Sequence, residues 1–259
     1  GPARAGARLR GPLGLAWRLQ RGILVGWTVG VAAIGGATGA LASDVKTLAE
    51  GNPQLTELLR QLGGGVDVVE AYLSQSLTAI ALLSGGYVVQ AVLRIRQEET
   101  ALRAEPVLAT AVSRIRWAGG HLVWVVVGAV VLLAGAGGAA GLLHGLRTGD
   151  VGGQLSRLVA VAVSQVPAVL VLAGVAVALT GLWPRRVALS WAAFGACVVL
   201  VEFGELLQLP GWVLDISPFR HTPQLPAVSP QAGPLLALLA VVLVLGAVGL
   251  VGLRRRDIG

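Results

Sequence analysis

Six apolar runs, at 22–42, 73–93, 119–143, 158–182, 187–207 and 234–253, alternate with segments that carry nearly all the charge of the chain. Each run is about 20 residues long, the length needed to carry an α-helix across a ~30 Å hydrocarbon core. The pattern predicts an all-α polytopic membrane protein with six transmembrane helices in one domain, 1–259. Before the first run, residues 1–21 alternate Arg8, Arg10, Arg18 and Arg21 with Leu9, Leu13, Leu15, Trp17 and Leu19. That alternation predicts an interfacial helix lying flat on the membrane before the chain turns into the first span, although a basic flank with a Trp anchor accounts for it as well.

Between the second and third runs, residues 94–117 hold five arginines and three glutamates. Lipid does not accept such a segment, because each ionised side chain costs about 2.5 to 3.5 kcal/mol at the centre of a spanning helix. Arg94 with Glu98, and Glu99 with Arg103, stand four residues apart, so a helix leaving the membrane carries them as surface pairs. Glu105-Pro106 reads as a new helix start, Ser113 as a cap for the next span, and Arg114, Arg116 and Trp117 as the re-entry interface. A short helix parallel to the membrane fits this grammar, and a plain solvated loop remains its alternative.

Charge orients the spans. Fifteen of the 20 basic residues fall on one side, with Glu98, Glu99, Glu105 and Asp257; the other side keeps Lys46, Arg60, Arg147, Arg157 and Arg220 with nine carboxylates. The positive-inside rule makes the arginine-rich side cytoplasmic and places both termini inside a bacterial cytoplasmic (inner) membrane. The pI near 11.1 is therefore a topology signal, and nucleic acid is excluded as a partner for want of a basic soluble face. A mean hydropathy of +0.77 agrees with the membrane class. Outside, 43–72 is predicted to form a small cap of one or two short helices bearing Leu55, Leu58, Leu59 and Leu62.

Residues 208–233 are too short and too broken by Pro210, Gly211, Pro218 and Pro223 to span, yet Trp212, Val213, Leu214, Ile216 and Phe219 make them apolar. They predict an external re-entrant hairpin closing the outer end of a cavity, with Glu202, Glu205, Trp212, Asp215, Pro218 and Phe219 as gate residues. Helix capping or loop anchoring is the other reading of the two glutamates. Small-xxx-small pairs at Gly26 and Gly30, Gly35 and Gly39, and Gly137 and Gly141 predict close helix contacts, within the chain or between copies. Ser164, Gln165 and Pro167 in the fourth run, and Ser74, Gln75, Ser76, Thr78 and Gln90 in the second, line a pathway or bond between helices.

Candidate chemistry is sparse. One cysteine, Cys197, forms no internal disulfide, and no Cys/His cluster offers a metal site. The sequence has no G-x-x-x-x-G-K-[ST] phosphate loop and no HExxH, and His121, His144 and His221 pair with no serine in a protease pattern. The chain is read as a non-enzyme that binds no cofactor itself.

The stretch RQEETALRAEPVLATAVSR resembles the cytoplasmic loop between the second and third spans of ABC exporter permeases of the type 2 superfamily, whose pattern is near E-x-x-x-G-R-x-E-x-L-L-A-x-P-V-S-R. Glu99, Arg103, Glu105, Leu108, Ala109, Val112, Ser113 and Arg114 match; Leu102 replaces the usual glycine and Ala111 the usual proline. GPLGLAWRLQRG, ALSWAAFG, FGELLQLPGWVLDISPF, HTPQLPA and RRRDIG extend the resemblance, over essentially the whole chain, to polyketide-antibiotic exporter permeases of actinobacteria. It implies an efflux permease for amphipathic or hydrophobic compounds, energised by separate ABC ATPase subunits that hold ATP and Mg, and paired with a second six-span half. The absence of any methionine agrees with the chain being the C-terminal half of a longer polypeptide. The resemblance assigns the ATPase contact to Glu98, Glu99, Arg103, Glu105, Pro106, Val107, Leu108, Thr110, Ser113 and Arg114. An ion-coupled secondary transporter, which calls for a carboxylate within the membrane, and a non-transporting protein of lipid processing are the alternatives.

Overall fold

A computed structural model describes residues 12–51, 67–100, 113–223 and 232–255, and these are helical with no strand among them. Eight α-helices follow in order: α1 Pro12–Glu50, α2 Val68–Thr100, α3 Arg114–Thr148, α4 Val151–Ser164, α5 Val166–Leu182, α6 Leu189–Glu202, α7 Gly211–Leu214 and α8 Ala232–Arg255. Single 3-10 turns stand at Pro184–Arg186 and Pro218–His221.

The first three helices are longer than the apolar runs inside them. At 39, 33 and 35 residues they measure about 50 to 58 Å, well beyond the hydrocarbon thickness. Their polar flanks are rich in Leu, Ala, Arg, Gln and Glu, strong helix formers, so the backbone ladder continues past the apolar stretch. Residues 12–21 are the first turns of α1, with no turn between the expected interfacial helix and the span, and 43–50 and 68–72, the ends of the expected cap, extend α1 and α2. Residues 1–11 and the leucines at 55, 58, 59 and 62 lie outside the described residues.

Among the described residues five stretches are long and apolar enough to cross a membrane: 13–48, 68–99, 114–148, 151–182 and 232–255. The fourth is α4 and α5 taken together, interrupted at Gln165, which ends one helix and precedes Pro167 in the first turn of the next. The fifth apolar run of the sequence gives only α6, 14 residues or about 21 Å, followed by turns, α7 and the second 3-10 turn. This folded segment packs on α5, α6 and α8. Phe219 is buried and joins the main apolar core.

That core is centred on α2, which touches α1, α3, α4, α5 and α6 and buries Leu73, Leu77, Ile80, Tyr87, Val88 and Val89. Glycines set the closest seams. Gly35 and Gly39 of α1 lie against the backbone of Ala136 and Ala140 in α3. A Cβ on Gly137 or Gly141 of α3 stands 2.5 Å from the Leu158 carbonyl oxygen or 2.6 Å from the Leu155 Cα of α4. Gly249 of α8 meets the Val177 carbonyl of α5 at 2.5 Å in the same construction. With no hydrophobic gain from packing apolar helices within lipid, close backbone approach is what dispersion and weak Cα–H···O contacts require. Gly149, at φ +78°, closes α3 in the left-handed conformation, and the Asp150 carboxylate accepts from Gly153 N at 2.9 Å to start α4.

Candidate coupling and gate segments

The antiparallel course of the helices gathers charge at two opposite ends of the bundle. At the arginine-rich end, the last turns of α2 carry Arg94, Arg96, Glu98 and Glu99, and the first turn of α3 carries Arg114 and Arg116. Arg94 Nε lies 3.8 Å from Glu98 Oε1, the pair expected four residues apart. Glu99 pairs with Arg96 at 3.1 Å, one turn behind it. Both glutamates are buried, at 6% and 8% exposure, so they belong to the shoulder of the bundle rather than to a solvated face. Ser113 caps α3: its hydroxyl accepts from Arg116 N at 3.3 Å. Arg103, Glu105, Pro106, Val107, Leu108 and Thr110 lie outside the described residues.

Directly behind this shoulder is a small second core. Ile95 of α2, Trp117 and Ala118 of α3 and Leu253 of α8 pack together, with Leu122 and Leu250 against them. His121, one turn beyond Trp117 and edge-on to its ring at 5.4 Å, is 1% exposed and lies 3.1 Å through Nδ1 from Gln20 Nε2 of α1. Since an amide nitrogen donates, Nδ1 accepts and the ring proton of a neutral imidazole sits on Nε2. Four helices therefore meet where the charged connection leaves α2 and enters α3. The sequence puts His121 near the start of the third apolar run but gives no signal for its partner, because Gln20 looks like one more polar residue of a basic flank.

The opposite end is held by ion pairs between helices. Arg147 of α3 bonds Asp44 of α1 at 2.9 Å, and Arg157 of α4 bonds Glu70 of α2. The first pair is about half exposed on both sides, which limits it to about 0–1 kcal/mol after screening. The segment expected to act as a gate packs on α5, α6 and α8. Arg220 reaches Asp215 at 3.1 Å and Glu205 at 3.9 Å, and His221 Nε2 bonds the Asp215 carbonyl oxygen at 2.8 Å. Pro218 and Phe219 point into the protein, whereas Trp212 is 72% exposed and Glu202 is exposed at the end of α6. The six residues thus divide into a buried anchor of Pro218 and Phe219, a surface ion cluster of Glu205 and Asp215 around Arg220, an outward Trp212 and the exposed Glu202.

Polar groups within the spans bond across helices. Gln165 Nε2, at the α4–α5 break, donates to Thr78 Oγ1 of α2 at 3.3 Å. Trp27 Nε1 of α1 donates to Gln90 Oε1 of α2 at 2.9 Å. Among the described residues no group of three or more His, Cys, Asp or Glu is placed to hold a metal ion.

The family model of the C-terminal domain of multidrug efflux system permease Rv1217c matches residues 9–254. Over 258 residues the chain is 38% identical to the multidrug efflux system permease protein Rv1217c of Mycobacterium tuberculosis (strain ATCC 25618 / H37Rv). The alignment takes in all of this chain and 47% of that protein, so the chain spans about half the length of its relative. The helical bundle, the apolar spans and the end-to-end match agree: the chain belongs to the family of the Rv1217c multidrug efflux permease C-terminal domain.

Proposed function

We propose that this chain is the membrane-spanning half of an ATP-driven exporter of amphipathic or hydrophobic compounds. A second half of similar design completes the path, and a separate nucleotide-binding subunit supplies the energy. The observation that carries this reading is the match to a multidrug efflux permease domain along residues 9–254. It is supported by the meeting of α1, α2, α3 and α8 at the root of the charged 94–117 connection, through Gln20, Ile95, Trp117, His121 and Leu253. A push on that connection reaches four helices at once, as a coupling element between ATPase and substrate path requires. On this reading the arginine-rich end is cytoplasmic, the bacterial inner membrane holds the bundle, and both termini are inside. α6 together with 203–223 then serves as the sixth crossing, with the Phe219-anchored segment as outer gate. The ion-coupled alternative asks for a carboxylate deep in a span: Glu70, Glu98, Glu99 and Asp44 lie in the end turns of their helices, which leaves Glu202, Glu205 and Asp215, in the proposed sixth crossing, as the groups it would have to use.

The test is co-purification of the intact permease with a nucleotide-binding subunit, followed by substrate-stimulated ATP hydrolysis and efflux from vesicles. Arg103→Ala combined with Glu105→Ala is expected to cut both activities at least tenfold while the protein still inserts. Full stimulation in the double variant, or an ATPase that never associates, overturns the coupling reading.

A further inference from the structure

Close seams divide the spans into two groups. In the first, Gly35 and Gly39 bring α1 onto the backbone of α3, and Gly137, Gly141 and Gly145 bring α3 onto the backbone of α4. In the second, Gly181, Gly249 and Gly252 close α5 on α8, and the Phe219 segment packs on α5, α6 and α8. Between the groups stands α2, which meets both through side chains: its Tyr87 lies against Gly128 of α3, and Leu172 of α5 lies against its Gly85. Helices in backbone contact move as units, whereas side-chain contacts repack by changes of rotamer.

α4 and α5 follow one another in a single spanning stretch, yet α4 belongs to the first group and α5 to the second. The chain passes between the groups at Gln165. With 14 residues of α4 on one side and 17 of α5 on the other, about 21 and 26 Å by helix rise, this break lies near the middle of the stretch. Its backbone is wired as an interruption. Gln165 N–H bonds the Ala162 carbonyl at 3.1 Å, three residues back, and the Val161 carbonyl takes the Ser164 hydroxyl at 2.7 Å instead. Pro167 has no N–H, so the Val163 carbonyl loses the donor that a continuous helix supplies. A bend here gives up fewer ladder bonds than a bend elsewhere in the stretch.

The Gln165 side chain is held on one side and unmet on the other. It is 2% exposed; its Nε2 donates to Thr78 Oγ1 of α2 at 3.3 Å, while its Oε1 is buried without a partner among the described residues. Thr78 gives its own proton to the Ser74 carbonyl at 3.0 Å, so α2 returns nothing to the amide oxygen. A buried acceptor without a donor penalises the conformation that holds it and favours one in which water or a backbone N–H reaches it. One bond to α2 thus keeps the break closed, and the orphan oxygen opposes it.

We propose that the α4–α5 break is a hinge on which α4, carried with α1 and α3, swings against α5 and α8, with the Gln165–Thr78 bond latching the pivot at its closed angle. At the arginine-rich end Leu253 of α8 stays packed with Trp117 of α3, which confines the opening to the opposite end. There the Arg157–Glu70 pair, about a third exposed on both sides, joins α4 to α2 through two long side chains that follow the swing. Two discrete packings of the same groups are what an alternating path through a membrane requires. The hinge does not depend on what drives it, and so stands apart from the exporter reading.

The test is pulsed electron–electron resonance on nitroxide pairs in the intact permease, in lipid nanodiscs and without ATP. Cys197, buried and the one cysteine of the chain, is first changed to Ala. Labels on Ser156→Cys and Leu236→Cys report across the break. Ser156→Cys with Leu41→Cys, and Leu182→Cys with Leu236→Cys, stay within the two groups; all four positions are exposed. The α4–α8 pair is expected to give two distances, or a distribution at least twice as wide as either control. Thr78→Val, which removes the latch, should raise the minor population relative to the major one about fivefold. Gln165→Leu combined with Pro167→Ala, which restores the N–H at 167 and removes the amide, should narrow the distribution to that of the controls. A single narrow α4–α8 distance in both the native protein and Thr78→Val overturns the hinge. Equal breadth in all three pairs means that the groups do not move as units, and overturns it too. Two distances that survive Gln165→Leu with Pro167→Ala put the pivot elsewhere and likewise overturn it. Because no nucleotide is present, a hinge in a protein that couples to no ATPase sinks the exporter reading alone. Rigid distances in a working ATP-driven exporter sink the hinge alone.

Discussion

Gly141→Ala is the sharpest test of how this bundle is held together. The new methyl stands 2.6 Å from the Leu155 Cα and 2.8 Å from the Gln154 carbonyl oxygen. Ordinary contact begins near 3.4 Å and both obstacles are backbone, so α3 and α4 must part by roughly 0.8 Å. A gap of that size forfeits a quarter to a half of the dispersion energy along the seam, and overpacking of this kind costs about 1–3 kcal/mol. Alanine returns about 1 kcal/mol through helix propensity, which leaves a net loss of about 0–2 kcal/mol. Gly137→Ala acts on the same seam, where its methyl meets the Leu158 carbonyl oxygen at 2.5 Å. One displacement of α4 accommodates both methyls, so the double variant should lose less than the sum of the two single losses. Gly246→Ala supplies the opposite sign: with nothing within 4 Å it keeps only the propensity gain, about 0.5–1 kcal/mol. Reversible unfolding of the purified protein in mixed detergent micelles measures all four variants on one scale. If Gly141→Ala stabilises as Gly246→Ala does, the close α3–α4 seam is not what the glycines are for.

Two further changes probe the two ends. Phe219→Ala removes a ring that is 4% exposed and should cost about 3–5 kcal/mol, whereas Trp212→Ala, at 72% exposure, should stay within about 0.5 kcal/mol in the same unfolding measurement. Equal losses from the two would dissolve the division into anchor and outward face. At the arginine-rich end, Gln20→Ala strips the donor from the buried Nδ1 of His121 and should cost about 1–3 kcal/mol. A neutral outcome there denies that the α1–α3 bond contributes to the junction.

The long apolar runs were legible because length and polarity alone decide whether a helix can cross a membrane. The Arg94–Glu98 pair and the Ser113 cap were legible because both are local, set by spacing along one helix. The continuity of α1 was not, because polarity marks where lipid ends rather than where a helix ends. Nor did the fifth run disclose that it folds as a 14-residue helix and a series of turns: Phe203 to Leu207 is apolar enough to continue, and the termination depends on how the following segment docks through Phe219. In the charged connection the Arg96–Glu99 pair, three residues apart, is equally local, while Arg103, the partner that spacing gives Glu99, lies outside the described residues.

The glycine motifs carry this distinction furthest. Gly35 with Gly39, Gly137 with Gly141, and Gly26 with Gly30 share one spacing, and on the sequence they are equivalent. In three dimensions the first two pairs are consumed by helix contact and the third is not. Small-xxx-small spacing therefore specifies a face stripped of side chains and leaves open what approaches it: a backbone where the neighbouring helix is free to close in, as α4 does on α3, or open space where a Trp stands between the helices. Trp27 plays that second part. Its bond to Gln90 and its edge contact with Tyr87 brace α1 against α2 at a distance that the glycines alone do not set. The indole thus maintains that space while forming one of its walls, and a change at position 27 acts on the space between two helices as much as on the surface it presents.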